Sequence, residues 1–395
     1  MTVVPEAPEG QGSATVASRL GGFMRGGGIA VPLLTAFLAF LAGGLVVLAT
    51  GKDPISTYKA IFDGTGLNWL LPWTNGTDRT IAAQNLQQTL ILTTPYILVG
   101  LAVAVAFRAG MFNIGGQGQY IMGSIAAVFV ATRLGSVPGW LHIIIAIAAA
   151  MAAGSAWAAI AGWLRATTGA NEVISTIMLN YIALWIGVYL FGLNGPLQGN
   201  QPSVPVSADI LPATHLPVFW GDPQLQGLDI GIFIALIGAG LVWVLLNRSV
   251  AGYEIKAVGF NPDAAEYGGI SAGRQQIKAM AICGVLAGLA GSLDILGWQF
   301  REATNDIQQS TIGFVGIAVA LLGRNTPLGT VFAALLFGAL VNGTSVRNLD
   351  PSVFPPELAS NLTLIIQGLI VLLISAPIIA TKLLGVSRKI PGVGK

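Results

Sequence analysis

The sequence predicts an all-α membrane protein that crosses the bilayer about ten times, and three observations support this. The chain of 395 residues is 54% hydrophobic and has a mean hydropathy of +0.73. Only 9% of its residues are charged, against about 25% in soluble domains. Apolar runs of spanning length also recur along the whole chain. A water-exposed surface cannot be built from so few charges, whereas a lipid-exposed surface can.

Ten apolar segments approach the roughly 20 residues that a spanning helix needs. They lie near residues 29–51, 82–107, 111–132, 139–164, 173–193, 230–247, 278–297, 307–323, 327–346 and 359–381. The first is expected to be a membrane anchor, because it exceeds the roughly 7–15-residue apolar core of a signal peptide. The third is interrupted by polar residues at its start.

Basic residues in the connections predict that both chain ends lie on the inner side. Thirteen of the 19 Lys and Arg residues fall in connections that would then be inner. The other six are Lys52, Lys59, Arg79, Arg133, Arg301 and Arg347. Inner loops normally carry the positive excess, so an N-in, C-in arrangement with an even number of spans is favoured. The expected organisation is an inner tail at 1–28, a transmembrane region at 29–381 and an inner tail at 382–395.

The outer connection 194–229 is proline-rich and lacks Lys and Arg. Its prolines argue against a long helix or a central strand. The sequence leaves two interpretations open: a solvated loop, or a lid or docking surface for an outside partner. His215 is expected to be a surface histidine, because no second His or Cys lies near it.

The stretch FNIGGQGQY, residues 112–120, places amides and glycines within apolar sequence. Lipid offers amides no partner, so these groups either pack helices together or line a pathway. In a regular helix Asn113 and Gln117 would share a face, and Gln119 would point elsewhere. The candidate pathway residues are Asn113, Gln117, Gln119 and Asn180. The sequence does not decide whether Asn180 or Tyr181 faces a pathway.

Small and charged residues near other span ends have simpler interpretations. Gly115 and Gly118 allow either close helix packing or a locally broken helix, and the Gly-x-x-x-Gly pair Gly284 and Gly288 predicts close helix packing. Glu172 lies at a predicted helix start, where a carboxylate is stabilised by the helix dipole. Asp294, near an outer span end, is expected to be an interfacial anchor with ion pairs nearby.

The inner connection 248–278 predicts a short helix outside the membrane. Gly259 and the pair Asn261-Pro262 indicate a break, after which Asn261 can cap a helix that Pro262 begins. Asp263 suits the helix N-terminus, and Gly268-Gly269 ends the helix. The alternatives are an ordinary interfacial loop and a rigid element that couples a soluble partner to the membrane helices.

Four ordered stretches resemble the permease subunits of nucleoside- and simple-sugar-type ABC importers, in the branched-chain-amino-acid/ribose permease superfamily. They are FNIGGQGQYIMGS, ANEVISTIMLNYIA, EIKAVGFNPDAAEYGGI and GIAVALLGRNTPLGTVFAALLFG. The resemblance covers about residues 82–381. One departure is Gln117, where the family often has Glu, so a carboxylate role at this position is in doubt.

The resemblance implies a permease fold in which a separate cytoplasmic ATPase subunit binds ATP and Mg and grips the inner segment. The expected ATPase-coupling residues are Glu254, Lys256, Asn261, Pro262, Asp263, Glu266 and Tyr267. It also implies a second permease, usually related but non-identical and in some systems an identical copy, and an extracytoplasmic substrate-binding protein. The expected location is the cell membrane, the inner membrane where the host has two. Nucleosides are the favoured substrates, with ribose or other simple sugars as the alternative.

The chain itself lacks the motifs of an enzyme. It contains no Gly-x-x-x-x-Gly-Lys-[Ser/Thr] phosphate loop, and no His/Cys cluster predicts a metal site. Its charge predicts no nucleic-acid partner. The rival interpretations are an ion-coupled carrier, which would be expected to place ionisable groups at mid-membrane, and a passive channel.

Overall fold

The computed structural model describes residues 30–134, 137–223, 227–345, 347–348 and 354–375. The predicted tails at 1–28 and 382–395 lie outside these ranges. The helices are α1 (Ala30–Ala49), α2 (Pro54–Thr65), α3 (Gly76–Arg108), α4 (Gly116–Ala131), α5 (Gly139–Thr168), α6 (Glu172–Phe191), α7 (Gly231–Arg248), α8 (Val250–Phe260), α9 (Pro262–Tyr267), α10 (Ala272–Asp294), α11 (Thr304–Gln309), α12 (Ile312–Leu322), α13 (Pro327–Gly343) and α14 (Pro356–Ser375). Short 3₁₀ turns occupy Leu67–Leu70 and Pro212–Thr214, and a π-helical turn, Ile295–Gln299, extends α10.

Within the described ranges, six helices are long and apolar enough to cross a membrane. They are α1, α3, α5, α6, α7 and α10 with its extension. The four other predicted segments also contain helices: α4, α12 and α13, which are shorter, and α14, which includes the apolar stretch Asn361–Leu373. The protein is therefore mostly helical, with several helices of spanning length.

Helix α10 is central to the packing and lies most extensively against α5. Glycines allow this close approach: a Cβ added to Gly284 would lie 2.5 Å from the carbonyl carbon of Gly154. Likewise, a Cβ on Gly123 of α4 would lie 2.5 Å from the Cα of Gly288. These helices therefore meet backbone to backbone, as small-xxx-small patterns permit.

Helix α4 begins at Gly116, later than the predicted span start at residue 111. The preceding residues are non-helical because the side-chain oxygen of Asn113 accepts a hydrogen bond from Gly115 N at 2.9 Å. Such a local side-chain bond competes with helix formation. Helix α12 begins beside α4, since a Cβ on Gly313 would lie 2.6 Å from the Cα of Gln117.

Segment 194–229, which the sequence predicts to be outer, is attached to the end of α10 by hydrogen bonds. Backbone hydrogen bonds join Ser207 N to Glu302 O, Ile210 N to Phe300 O and Leu216 N to Leu296 O, all at 2.8–2.9 Å. The segment also contains a short strand, β1 (Val218–Trp220), which pairs antiparallel with β2 (Leu228–Asp229). His215 is partly buried and stacks on Phe300 with ring centroids 4.0 Å apart.

Candidate functional site

The polar junction is the group of amides where α4 begins: Asn113, Gln117, Gln119 and Asn180. The sequence predicted that Asn113 and Gln117 share a helix face, but in the structure Asn113 pairs with Gln119. The amides of Asn113 and Gln119 exchange two hydrogen bonds, of 3.2 and 3.0 Å. The premise that Asn113 and Gln117 share a helix face is wrong, because Asn113 precedes the helix. The chain bends at Gly115, so the side chain of Asn113 meets that of Gln119, six residues later.

Asn180 of α6 ties this junction to a neighbouring helix. Its Oδ1 accepts from Gly118 N at 2.8 Å, and its Nδ2 donates to Ile114 O at 2.9 Å. A Cβ on Gly118 would lie 3.0 Å from the same Oδ1, so glycine is needed for this approach. Asn180 therefore satisfies two backbone groups that lipid would leave unpaired.

Gln117 ties the junction to α12. Its Oε1 accepts a hydrogen bond from Gly313 N at 2.8 Å, while its buried Nε2 has no partner. The N-cap residues of α4 and α12, Gly115 and Thr311, make no side-chain cap hydrogen bond of their own, so amides from other parts of the chain accept from the first turns of both helices. Gln117 thus connects two helix starts and keeps one donor available.

All four candidate pathway residues are buried, with relative exposures between 1% and 7%. The neighbouring side chain of Tyr181 is instead 59% exposed. The sequence could not distinguish these two positions, because α6 is apolar on nearly every side.

Segment 248–278 contains two short helices, α8 and α9, which are separated at Asn261. Asn261 caps α9 with its Oδ1 3.1 Å from Ala264 N, and Pro262 is the first residue of the helix. Gly268 follows the last residue, and Gly269 has a φ of 82°. The predicted start and end of this helix are confirmed.

The sequence suggested that the helix is interrupted at Gly259. Instead, Gly259 lies within α8, which continues to Phe260. A Cβ on Gly259 would lie 2.9 Å from both Ala109 C and Gly110 N, and Gly110 has a φ of 70°. Glycine is needed here for close packing against the α3–α4 connection. In the same connection, Arg108 donates from Nε and Nη2 to Asn325 O, at 3.2 and 3.1 Å.

The α8–α9 surface is mostly exposed. Tyr267 is 97% exposed and Phe260 is 89% exposed, whereas Ala265 is buried against Val258 and Ala272. Asn261, Pro262, Asp263 and Glu266 are also exposed, and Lys256 is partly buried.

Glu254, another predicted coupling residue, faces α10. Its Oε2 accepts a hydrogen bond from Gln275 Nε2 at 2.6 Å. Glu254 is partly buried, so this contact holds α8 against α10 and leaves less of the carboxylate for a partner.

Within the described ranges, the acidic residues near the C-terminal end of α10 form no ion pair, contrary to expectation. Asp294 is buried and accepts hydrogen bonds from Tyr120 Oη at 2.7 Å and Trp298 Nε1 at 3.2 Å. Glu302 is also buried, and desolvation raises its pKa to about 8. Desolvation also raises the pKa of Asp229, before α7, to about 6. Segment 194–229 packs beside Glu302 through the hydrogen bond from Ser207 N to Glu302 O, a long-range contact that local sequence does not reveal.

Within the described ranges, Arg165 and Glu172 form an ion pair, with Arg165 Nε and Glu172 Oε2 3.6 Å apart. The helix start of α6 is capped by Asn171, whose Oδ1 accepts from Val173 N at 2.9 Å. Glu172 is the first residue of α6, where its charge suits the helix dipole.

Several spanning helices, together with helices that begin inside the fold at a polar junction, define a polytopic integral membrane protein. The chain belongs to the family described as the branched-chain amino acid transport system / permease component, which matches residues 85–375. This is a family of transport permeases rather than enzymes.

Three relatives illustrate the range of this family. The guanosine ABC transporter permease protein NupP of Bacillus subtilis is 37% identical, over 88% of this chain and 92% of its own length. The nucleoside ABC transporter permease protein NupB of Lactococcus lactis is 36% identical, over 85% and 88%. The glucose ABC transporter permease protein TsgB13 of Haloferax volcanii is 32% identical, over 80% of each chain.

Proposed function

We propose that this chain is a permease subunit of an ATP-driven importer of nucleosides. Its location would be the cell membrane, with about ten membrane segments and both chain ends inside. Two relatives named for guanosine or nucleosides support this substrate class. The relative named for glucose supports simple sugars as the second candidate.

The observation that carries the proposal is the exposed α9 helix. It is capped at Asn261, fixed through buried Ala265, and exposes Tyr267 almost completely. A short rigid helix with an exposed aromatic end suits insertion into a groove of a soluble partner. That partner is a cytoplasmic ATPase subunit, which binds ATP and Mg and drives alternating access.

Contacts from α8 provide a route into the membrane helices. Gly259 lies against Gly110, and the connection that contains Gly110 continues to Asn113 at the polar junction. A displacement of α9 by the ATPase would therefore reach the start of α4. The pathway itself is formed with a second permease, related or identical, and an extracytoplasmic binding protein delivers substrate to the outer segments 52–80 and 194–229.

The first experiment measures uptake of radiolabelled guanosine, adenosine and ribose in cells with and without the cognate ATPase subunit. A protonophore is added under conditions that maintain ATP. Uptake that requires the ATPase and survives the protonophore supports the importer, and the preferred label identifies the substrate class. Uptake that persists without the ATPase and collapses with the proton gradient supports an ion-coupled carrier, an alternative favoured by buried Asp294 and Glu302.

Charge reversal tests the coupling segment. The double variant Asp263→Lys, Glu266→Lys should reduce co-purification of the ATPase and abolish uptake, because both side chains are exposed on α9. The matched control for assembly is Asp78→Lys, an exposed acid in the first turn of α3, at the opposite end of that helix from Arg108. Co-purification of the ATPase with the double variant at the level of this control would contradict the coupling role.

Substitution of Gln117 tests the polar junction. Gln117→Leu removes the acceptor for Gly313 N and should impair uptake while assembly with the ATPase persists. Gln117→Glu restores an acceptor oxygen and should recover a large part of the uptake. Uptake that is unchanged in the leucine variant would show that the amide is dispensable.

A further inference from the structure

A strap formed by residues 205–216 crosses the C-terminal end of α10. It is non-helical apart from its 3₁₀ turn, and its backbone bonds to the residues that follow α10. Ser207 N donates to Glu302 O at 2.8 Å, and Ile210 N donates to Phe300 O at 2.9 Å. In return, Glu302 N donates to Ser207 Oγ at 2.9 Å. Ser207 and Glu302 therefore form a two-way clasp between the strap and the end of α10.

The strap also holds the ends of two other helices. Leu211 N donates to the carbonyl oxygen of Ala131, the last residue of α4, at 3.1 Å. At the start of α5, a Cβ on Gly139 would lie 2.6 Å from Ala213 O. The strap thus connects the ends of α4, α5 and α10, which meet on this side of the protein.

The chain beside the clasp has an unfavourable backbone conformation. Phe300 has a φ of 58°, directly after the π-helical turn that extends α10. A bulky residue in the left-handed region costs free energy and persists only where its surroundings hold it. The strap supplies that support, since His215 stacks on the Phe300 ring and Ile210 N bonds to Phe300 O. Release of the strap would let Phe300 relax.

Glu302 is the titratable group in the clasp. It is 3% exposed, and in the part of the chain that the structure describes it forms no ion pair. Burial raises the pKa of its carboxyl to about 8, because a carboxylate loses more hydration than a neutral acid when it leaves water. The carboxyl is therefore largely neutral at pH 6 and largely ionised at pH 9.

The surroundings of Glu302 offer an ionised carboxyl no compensating charge. The titratable and charged groups on the elements around it are Tyr120 of α4, Asp294 of α10, Asp306 of α11, Asp209 and His215 of the strap, and the adjacent Arg301. Asp306 and Asp294 disfavour a charge on Glu302, as burial does. Arg301 is exposed. Burial lowers the pKa of His215, so this ring supplies no positive charge as the pH rises.

The strap is the element around Glu302 that can move away most easily. Helices α4 and α10 meet backbone to backbone: a Cβ on Gly291 would lie 2.5 Å from Tyr120 O and 2.8 Å from Ser124 N. The strap lacks such a long helical contact and is attached by separate hydrogen bonds. Segments of this kind open locally at lower free energy than packed helices do. Water would therefore reach an ionised Glu302 from the side of the strap.

We propose that the strap is a proton-operated latch, which is closed while the Glu302 carboxyl is neutral and is released from the end of α10 when that carboxyl ionises. Release frees the ends of α4, α5 and α10 to move relative to one another. The inference rests on the contacts of the strap and does not depend on the proposed import function.

Hydrogen exchange measured by mass spectrometry tests the latch in the full chain, purified in detergent with the subunits that co-purify with it. The strap peptide 203–217 is compared with the helical peptide 283–291 of α10 at pH 6 and pH 9. Glu302→Gln keeps the size of the side chain but cannot ionise. The matched control is Asp209→Asn, which neutralises an exposed acid on the strap itself. Variants are compared at the same pH, so that the pH dependence of intrinsic exchange cancels.

At pH 9 the strap peptide of the wild type and of Asp209→Asn should exchange at least tenfold faster than that of Glu302→Gln, whereas at pH 6 the three should agree. The upper limit is about a hundredfold, for a carboxyl whose pKa falls from about 8 to 4.5 when the strap opens. Guanidinium at a low concentration should leave the strap rate unchanged, because local opening exposes little surface.

Equal strap exchange in the wild type and Glu302→Gln at pH 9 would overturn the proposal. So would strap exchange that rises with guanidinium in step with peptide 283–291, since both would then report unfolding of the whole protein. Ser207→Ala gives a second test, because it removes the acceptor for Glu302 N. Its strap should exchange faster than that of the wild type already at pH 6, and an unchanged rate would contradict the role of the clasp.

Discussion

The α5–α10 crossing makes a quantitative prediction for the variant Gly284→Ala. The new Cβ would lie 2.5 Å from Gly154 C and 2.7 Å from Ala158 Cβ. An ordinary contact begins near 3.4 Å, so the helices would separate by roughly 1 Å. Much of the obstacle is backbone, which has no alternative rotamer, so the clash cannot be relieved by a side-chain movement.

The cost follows from the size of that separation. A gap of 0.5–1 Å forfeits about a quarter to a half of the dispersion energy of each contact across it. Overpacking of this kind typically costs about 1–3 kcal/mol. Because α5 and α10 form the most extensive helix pair, we expect the upper part of that range, a fall in melting temperature of several degrees.

The assay is thermal unfolding of the purified transporter in detergent, with Gly240→Ala as the matched control. Gly240 is in α7, and a Cβ there would meet nothing within 4 Å. The control should melt at or slightly above the wild-type temperature, because alanine favours helix by about 1 kcal/mol over glycine. If Gly284→Ala has the same melting temperature as this control, the close-packing argument fails.

Three further predictions concern buried or capping groups. Burial raises the pKa of Glu302 to about 8, from the 4.5 expected in the unfolded chain. The folded protein therefore holds this proton more tightly than the unfolded chain does. The resulting stabilisation is present at low pH and is lost as the pH rises. The free energy of unfolding should fall by about 2–3 kcal/mol between pH 6 and pH 9, and Glu302→Gln should remove most of that slope in a melting series. Asn180→Leu leaves two buried backbone groups unpaired and should cost about 2–6 kcal/mol, whereas the exposed Asn247→Leu should change the melting temperature little; similar melting of the two would contradict the bonding role. Asn261→Ala removes the cap on Ala264 N and should destabilise α9 by about 1 kcal/mol, seen as roughly fivefold faster amide exchange at 263–268, with Asn261→Asp exchanging like the wild type.

Local sequence patterns predicted the elements that depend on local physics. The length of the apolar runs predicted a helix in every expected segment, and the structure has a helix in each. Asn261, Pro262 and Gly268 correctly predicted the start and end of α9. The chain's four family-like stretches predicted its family, since their order and residue identities are specific. These features depend on neighbours a few residues apart.

The sequence could not predict features that arise from contacts distant along the chain. The polar junction at the start of α4 depends on Asn180, 62 residues after Gly118, whose Oδ1 accepts a hydrogen bond from Gly118 N. The burial of Glu302 depends on Ser207, 95 residues earlier, whose Oγ accepts from Glu302 N at 2.9 Å. The different environments of Asn180 and Tyr181 depend on which side of an almost uniformly apolar helix faces its neighbours.

The contact between Gly110 and Gly259 limits how a defect in the coupling route can be repaired. Each residue is already the smallest one available, so a larger residue at either position has no compensating reduction at the other. In a genetic selection, second-site revertants of Gly259→Ala should therefore be absent at position 110. They should arise instead at positions that let α8 move away from the α3–α4 connection as a whole.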